Sequence, residues 1–213
     1  MDNILRMEER IYTRDLMGGR SVYGEKVENL RGAFYREWIP WRSKMASLLK
    51  KRADVSVPTG NVLYLGAAQG TTVSHLSDAD PEGIFYAVEF SETPFRKLSK
   101  LAKERGNIVP IMEDANHPER YQAMIPPVDW IYQDVSQKDQ AGILLRNSGM
   151  LKPGGRAILM VKARSVDVTS SPERVFEGIE SRLAGSGLEV TDRVDLSPFQ
   201  KDHAAILLRK PTD

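Results

Sequence analysis

The chain has 213 residues, 41% of them hydrophobic and 28% charged, and its 30 Lys and Arg against 29 Asp and Glu leave a net charge of +1. That length supports one sizeable core, and the balance excludes a disordered or fibrous polypeptide. The absence of cysteine, together with only three histidines (His75, His117, His203), excludes disulfides, thiolate metal sites and a cysteine nucleophile, and leaves no basis for a histidine-rich metal site.

The opening "MDNILRMEER" mixes charges and lacks the apolar segment of a secretory signal. No stretch approaches the roughly 18 apolar residues of a membrane span, so a cytoplasmic location is expected. "RIYTRDLMGGRSVYGEKVEN" sets aromatic and β-branched residues around Gly18-Gly19 and Gly24, the pattern of short antiparallel strands. In "FYREWIPWRSKMASLLKKRAD", Pro40 is placed to open a helix that runs through Lys44 and Leu48. Residues 1–55 are expected to form a small β subdomain with a linking helix, and residues 56–213 the main domain.

From residue 56 strands and helices alternate: "NVLYLG" a strand, "TTVSHLSDA" a helix, "GIFYAVEF" a strand, "PFRKLSKLAKERG" a helix, "NIVPIM" a strand. "VDWIYQDV" is the fourth strand, "QKDQAGILLRNSGML" a helix closed by "KPGG", "RAILMVKA" the fifth strand and "SPERVFEGIESRLAGSG" a further helix. "LEVTDRVDLSPFQKDHAAILLRK" reads as two strands joined by a loop. Alternation implies a parallel sheet covered on both faces, and the last two strands an antiparallel edge. The fold class is α/β, doubly wound, with a C-terminal hairpin.

In such sheets ligands bind beyond the carboxyl ends of the strands, where the turn "GAAQG" lies. Its small residues let backbone N–H groups approach a ligand, although a tight packing turn has the same composition. The turn lacks the second close Gly of a dinucleotide site and the Lys of a triphosphate site. Glu89 closes the second strand, about 20 residues on, where a carboxylate can accept both hydroxyls of a ribose. Asp114 closes the third strand, in position to meet an adenine amino group. Each carboxylate alone is also an ordinary strand-end or cap residue. In order after consecutive strands, without phosphate-binding chemistry, they point to S-adenosylmethionine.

The wording of the chain is more specific still. "SVYGEK", "REWIPWRSKMA", "LGAAQGTTVSHLSD", "AVEFS", "QDVSQ", "VKARSVDV" and "KDHAAILLRK" together resemble the fibrillarins in their short archaeal form, over nearly the whole chain. The resemblance implies a Rossmann-like class I methyltransferase with a seven-stranded, mostly parallel sheet. It also implies 2′-O-methylation of ribosomal and possibly transfer RNA within a box C/D ribonucleoprotein. There a guide RNA selects the target RNA, a Nop-family scaffold holds the enzyme, and a kink-turn-binding protein nucleates assembly. Carried over, the family's cofactor site falls on Gly66, Ala67, Gly70, Thr71, Thr72, Glu89, Phe90, Asp114, Ala115, Asp134 and Gln137. Gln69 stands where many relatives have Ser.

Related 2′-O-methyltransferases use a Lys-Asp-Lys-Glu group whose last member is commonly His in fibrillarins. The matching residues are Lys44, Asp134, Lys162 and His203. A sulfonium methyl is already activated, so the protein must align a hydroxyl and remove its proton. Lys162, at the end of an apolar strand, is the natural candidate base, with Asp134 aligning hydroxyl and methyl and with Lys44 and His203 positioning the ribose. Taken singly, Lys44 is an ordinary helix lysine, Lys162 and Asp134 a strand-end ion pair, and His203 a structural hydrogen-bonding residue, as His75 and His117 are taken to be.

Arg42, Lys44, Lys50, Lys51 and Arg52 lie near Trp38 and Trp41, a mixture suited to phosphates and stacking, or equally to a packed helix with its lysines outward. Arg42, Arg164 and Lys201 are the candidate RNA-binding residues. With net charge +1, guide and scaffold must supply much of the affinity. The alternatives are a class I methyltransferase acting on a small molecule or protein, an inactive assembly subunit, and a nucleotide-dependent oxidoreductase.

Overall fold

Strand β5 (Asn61–Leu65) shows how the core is divided, because alternate residues of a strand point to opposite faces. Leu63 and Leu65 enter one apolar cluster, Val62 and Tyr64 the other. The computed structural model describes residues 3–30 and 32–212; Met1, Asp2, Arg31 and Asp213 lie outside it.

Among the described residues, β1 (Ile4–Met7), β2 (Arg10–Arg14), β3 (Val27–Leu30) and β4 (Ala33–Glu37) form an antiparallel sheet in the order β1-β2-β4-β3. β1 and β4 were not expected as strands. A single 3₁₀ turn, Pro40–Arg42, then precedes helix α1 (Lys44–Lys51). The expected continuous helix from Pro40 is interrupted at Ser43, which is extended (φ −146°, ψ 120°) and caps α1 by accepting from the Ala46 N–H. Met45, Ala46, Leu48 and Leu49 of α1 are buried, a face whose larger side chains contribute about 1.5–3 kcal/mol each.

The chain continues through β5, α2 (Thr71–Ala79), β6 (Ile84–Val88), α3 (Glu92–Glu104) and β7 (Ile108–Ile111). Then come β8 (Val128–Gln133), α4 (Gln140–Asn147), β9 (Leu151–Lys162), α5 (Ala163–Val166), α6 (Pro172–Ala184), β10 (Glu189–Asp195) and β11 (His203–Arg209). The large sheet has seven strands in the order β10-β11-β9-β8-β5-β6-β7, with β11 antiparallel to both neighbours, as the C-terminal hairpin requires. "KPGG" does not close a helix. It belongs to the start of β9, where the pairing with β8 slips between Val128 and Trp130. Side chains of α1, α2 and α3 cover one face, and those of α4 and α6 the other.

The small sheet is fixed to the large domain by buried charge. Arg36 of β4 donates to Glu25 Oε1 at 2.5 Å and to Asp78 Oδ2 of α2 at 2.7 Å. Arg105 bonds the other oxygen of Asp78 and reaches Asp15 at 3.4 Å. All five side chains are fully buried and two guanidiniums face three carboxylates, so losing either Arg would leave buried carboxylates without a counter-charge, at a cost of about 3–5 kcal/mol. His75 lies in this layer, stacked on the fully buried Trp38 at 5.0 Å. Its Nδ1 is 2.7 Å from Thr13 Oγ1, whose own proton goes to Asp78, and its Nε2 is 2.6 Å from the Tyr23 hydroxyl. Burial, and the Arg36 and Arg105 cations, push His75 well below its ordinary value, so it is a neutral structural residue.

Candidate functional site

The turn after β5 is built by strand ends. The N–H groups of Gly66 and Ala67 both donate to Val88 O, at 2.9 and 3.1 Å. Gly66 has φ +81°, and a Cβ there would stand 2.4 Å from the carbonyl oxygen of Asp134. Only glycine lets the backbone after β5 pass this close to the backbone after β8. Glu89 closes the turn from the next strand: its carboxylate accepts from Ala68 N at 2.9 Å and from Ser91 N at 2.7 Å.

A cavity of about 380 Å³ opens over this turn, lined by Gly66, Ala68, Glu89, Phe90, Ala115, Asp134, Val135 and Gln137 among others. Three acids (Glu89, Glu113, Asp134) line it and, among the described residues, no Lys or Arg. That donor set suits a nucleoside carrying a cationic sulfonium and opposes a pyrophosphate, which would need cations or a phosphate-binding loop. Asp114 is placed differently from expectation, since its neighbours Glu113 and Ala115 line the cavity rather than Asp114 itself. Its Oδ1 is occupied by Asn116 N and Nδ2, both at 2.9 Å, and by Gln137 Nε2 at 3.3 Å. Burial raises its pKa, but these bonds outweigh it and hold the carboxyl below its ordinary value.

A second cavity, about 340 Å³, shares Gly66, Ala68, Pro94, Asp134 and Ser136 with the first and adds Arg42, Lys44, Tyr64, Ala67, Gln69, Thr71 and Thr72. Gly70, the cap before α2, is at φ +96°. Lys44 Nζ donates to Asp134 Oδ1 at 2.6 Å, both side chains about one-fifth exposed. Lys44 is the first residue of α1, and the Ser43 cap that sets it is pinned by Trp38 Nε1 and Thr72 Oγ1, each at 3.0 Å. Asp134 is held by its own N–H, which donates to Leu65 O at 2.9 Å.

Lys162 ends β9 directly opposite His203, which begins β11. The His203 Nδ1–H donates to Lys201 O at 2.6 Å, so the neutral ring keeps its lone pair on Nε2. Burial lowers the pKa of His203; the Lys201 carbonyl and Asp134 raise it, and Lys44 and Lys162 lower it further, leaving it below its ordinary value. His203 thus lies within reach of the charges of Lys44, Asp134 and Lys162.

One residue was missed by the sequence reading. Gln140, fully buried at the start of α4, accepts from Lys162 N at 3.1 Å and donates to Lys162 O at 3.3 Å. β8 stops at Gln133, so beyond it this side-chain amide replaces a strand as the partner of Lys162. No local sequence pattern signals this, because it depends on where another strand ends.

The basic run is mostly spent on the protein itself. Lys50 bonds Glu9, Lys51 donates to Ser197 O at 2.7 Å, and Arg52 pairs with Asp54 and Asp192. Trp38 is core, and Trp41 is exposed, edge-on to Phe199 at 5.1 Å. Of the two readings of that stretch, these contacts fit the packed helix; Arg42 alone of the group joins Lys44 at the cleft. Arg164 is tied to Asp202 at 3.1 Å and to Val168 O, whereas Lys201 is exposed. Gln69 takes a 3.4 Å bond from Lys97, and His117 lies on Glu119 at 2.9 Å.

The fibrillarin family model matches residues 2–211. The chain belongs to the fibrillarin family. The fibrillarin-like rRNA/tRNA 2′-O-methyltransferase of Thermococcus gammatolerans is 47% identical over 207 residues, 95% of this chain and 91% of that protein. A crystal structure of a fibrillarin/Nop5p complex matches with TM-score 0.90 and 43% identity, covering 99% of this chain and 98% of that one. The fibrillarin of Aeropyrum pernix, crystallised with natively bound S-adenosyl-L-methionine, matches with TM-score 0.86 and 42% identity over 96% of this chain and 92% of that one. Membership fits the seven-stranded sheet and the acid-lined cavity, and gives the Lys44–Asp134 contact its setting within a fibrillarin fold.

Proposed function

We propose that this chain is the catalytic subunit of a box C/D ribonucleoprotein and methylates the ribose 2′-hydroxyl of rRNA, and of tRNA, from S-adenosylmethionine. The observation that carries the reading is that Asp134 lines both cavities while paired with Lys44. The first cavity is suited to the cofactor, held by Gly66, Glu89, Phe90, Ala115, Asp134 and Gln137, with Ala67, Thr71 and Thr72 on the wall of the adjoining second cavity, Gly70 capping α2 and Asp114 bracing Gln137 from behind. The second is where a target ribose would lie.

S-adenosylmethionine supplies, when bound, a methyl already activated on its sulfonium. The chain's residues do the rest. The Asp134 carboxylate, fixed by Lys44 and by its own backbone bond to Leu65, holds the target hydroxyl in line. The hydroxyl proton leaves to the Lys162–His203 pair, where neutral His203 offers the Nε2 lone pair. Gln140 fixes the backbone from which Lys162 projects. Arg42, with Arg164 and Lys201 on the other side, takes phosphates flanking the target.

A chain of net charge +1 needs help to hold RNA. That supports a complex with a guide RNA, a Nop-family scaffold and a kink-turn-binding protein. Among the described residues no helix is long and apolar enough to cross a membrane, in keeping with work in the cytoplasm. The test is methyl transfer from labelled cofactor in the reconstituted complex. Lys162→Ala should slow transfer by about 10²–10⁴-fold with cofactor affinity unchanged. A variant as fast as the parent would refute the assignment.

A further inference from the structure

Beside the Lys44–Asp134 cleft lies a larger cavity, about 600 Å³, between the loop that follows β2 and helix α3. Cations converge on it from three elements: Arg20 from the loop, Arg42 from the turn before α1, and Lys97 and Lys100 from α3. One acid, Glu104, also lines it, and Arg105 is already neutralised in the buried network. Arg20, Lys97 and Lys100 are exposed. Among the described residues none of the three is in an ion pair, and Lys97 makes only its 3.4 Å bond to Gln69, whereas Arg96 on the same helix is paired with Glu92. Arg42, Gln69 and Thr71 line both this cavity and the cleft, so the two are continuous.

The wall is built from the buried core outward. The Arg42 guanidinium lies over the Tyr23 ring at 4.6 Å, and the Tyr23 hydroxyl is 2.6 Å from His75 Nε2. His75 is in turn locked by Thr13 and Trp38. This chain of contacts fixes Arg42 at the junction of the two cavities. It also gives the small sheet a purpose, since the loop after β2 carries Arg20 and Tyr23.

Uncompensated cations lining a groove create a local field that a polyanion relieves. A strand whose ribose lies at Asp134 must leave the cleft, and phosphate contacts are what fix the register of such a strand. We infer that this groove holds the phosphodiester backbone of the target RNA on one side of the reacting ribose. The inference rests on the 2′-O-methyl transfer proposed above.

The test uses the complex reconstituted with scaffold, kink-turn protein and box C/D guide. Lys97→Glu/Lys100→Glu should raise the KM for target RNA on the order of tenfold, and lower the slope of log affinity against log salt by about 1.4, or about 0.7 per lost contact. A fourfold rise in salt should then cost the double variant about sevenfold less affinity than the parent. Its kcat at saturating RNA and its cofactor affinity should stay at parent values, and Lys97→Gln/Lys100→Gln should fall between. Lys103→Glu makes the same charge change on α3 outside the cavity and should match the parent. If the double variant and Lys103→Glu share one KM and one salt slope, the groove is not an RNA site. If the parent binds cofactor yet transfers no methyl to RNA, the functional reading fails instead. The salt dependence of direct single-stranded RNA binding by parent and double variant then decides the groove alone.

Discussion

Gly66→Ala tests the joint between the turn after β5 and the backbone of Asp134. The added methyl would stand 2.4 Å from the Asp134 carbonyl oxygen, 2.9 Å from its carbon and 3.0 Å from Val135 Cγ1. Two of those atoms are backbone and cannot rotate away, so either the turn or Asp134 must shift. Alanine at φ +81° costs about 1–2 kcal/mol, and forced overpacking about 1–3 kcal/mol more. A loss of about 2–5 kcal/mol should lower the melting temperature by roughly 5–20 °C in a chain of this size. Because the shift acts on Asp134, cofactor affinity by calorimetry and single-turnover transfer should fall as well. Ala68→Gly is the control: Ala68 already sits at φ +49°, so relief of strain and the added chain entropy of glycine nearly cancel. A Gly66→Ala protein with the parent's melting temperature, cofactor affinity and rate would refute the close approach of the two strand ends.

Three further outcomes follow from the same structure. Gln140→Ala removes both bonds to the Lys162 backbone and should lower kcat by about tenfold, roughly 1.4 kcal/mol, with cofactor affinity retained; an unchanged kcat would show that Lys162 needs no such support. His75 binds its proton less readily folded than unfolded, so the unfolded chain holds more protons at mildly acid pH. Its stabilising contribution is complete above about pH 6.5 and falls below it by up to about 1.4 kcal/mol per pH unit, a slope that His75→Gln should remove from urea unfolding curves. His203 is lowered in the same direction, so the base of the proposed reaction should stay neutral below pH 6.5, and the acid limb of the kcat profile should move up in Lys44→Met only if Lys44 sets it.

Much of the main domain is legible in the sequence, because its strands and helices carry clean periods of 2 and 3.6 between turn residues. "TTVSHLSDA" is α2 residue for residue. The small sheet is harder to read. β1 and β4 are four and five residues long, too short for a period to stand out, and β1 turns into β2 through Glu8-Glu9, a pair at positive φ with no glycine to signal the hairpin. The start of α1 was misplaced because Pro40 signals a helix, while the capping oxygen that sets the real start belongs to Ser43. At the site, Lys44, Asp134, Lys162 and His203 are scattered over 160 positions and gain meaning only through family wording. The structure adds the 2.6 Å pairing of the first two and the facing register of the last two. What no sequence pattern disclosed was use: which cations of the basic run are spent on Glu9, Ser197 and Asp192, and which, like Arg42, are left facing a cavity.

The central claim is that Asp134 aligns a ribose hydroxyl against an activated methyl. It is tested most directly by supplying labelled cofactor to the reconstituted complex with two target RNAs that differ only in having or lacking the 2′-hydroxyl at the guided position. The account predicts label in the first RNA and background in the second. Equal labelling of both would contradict it.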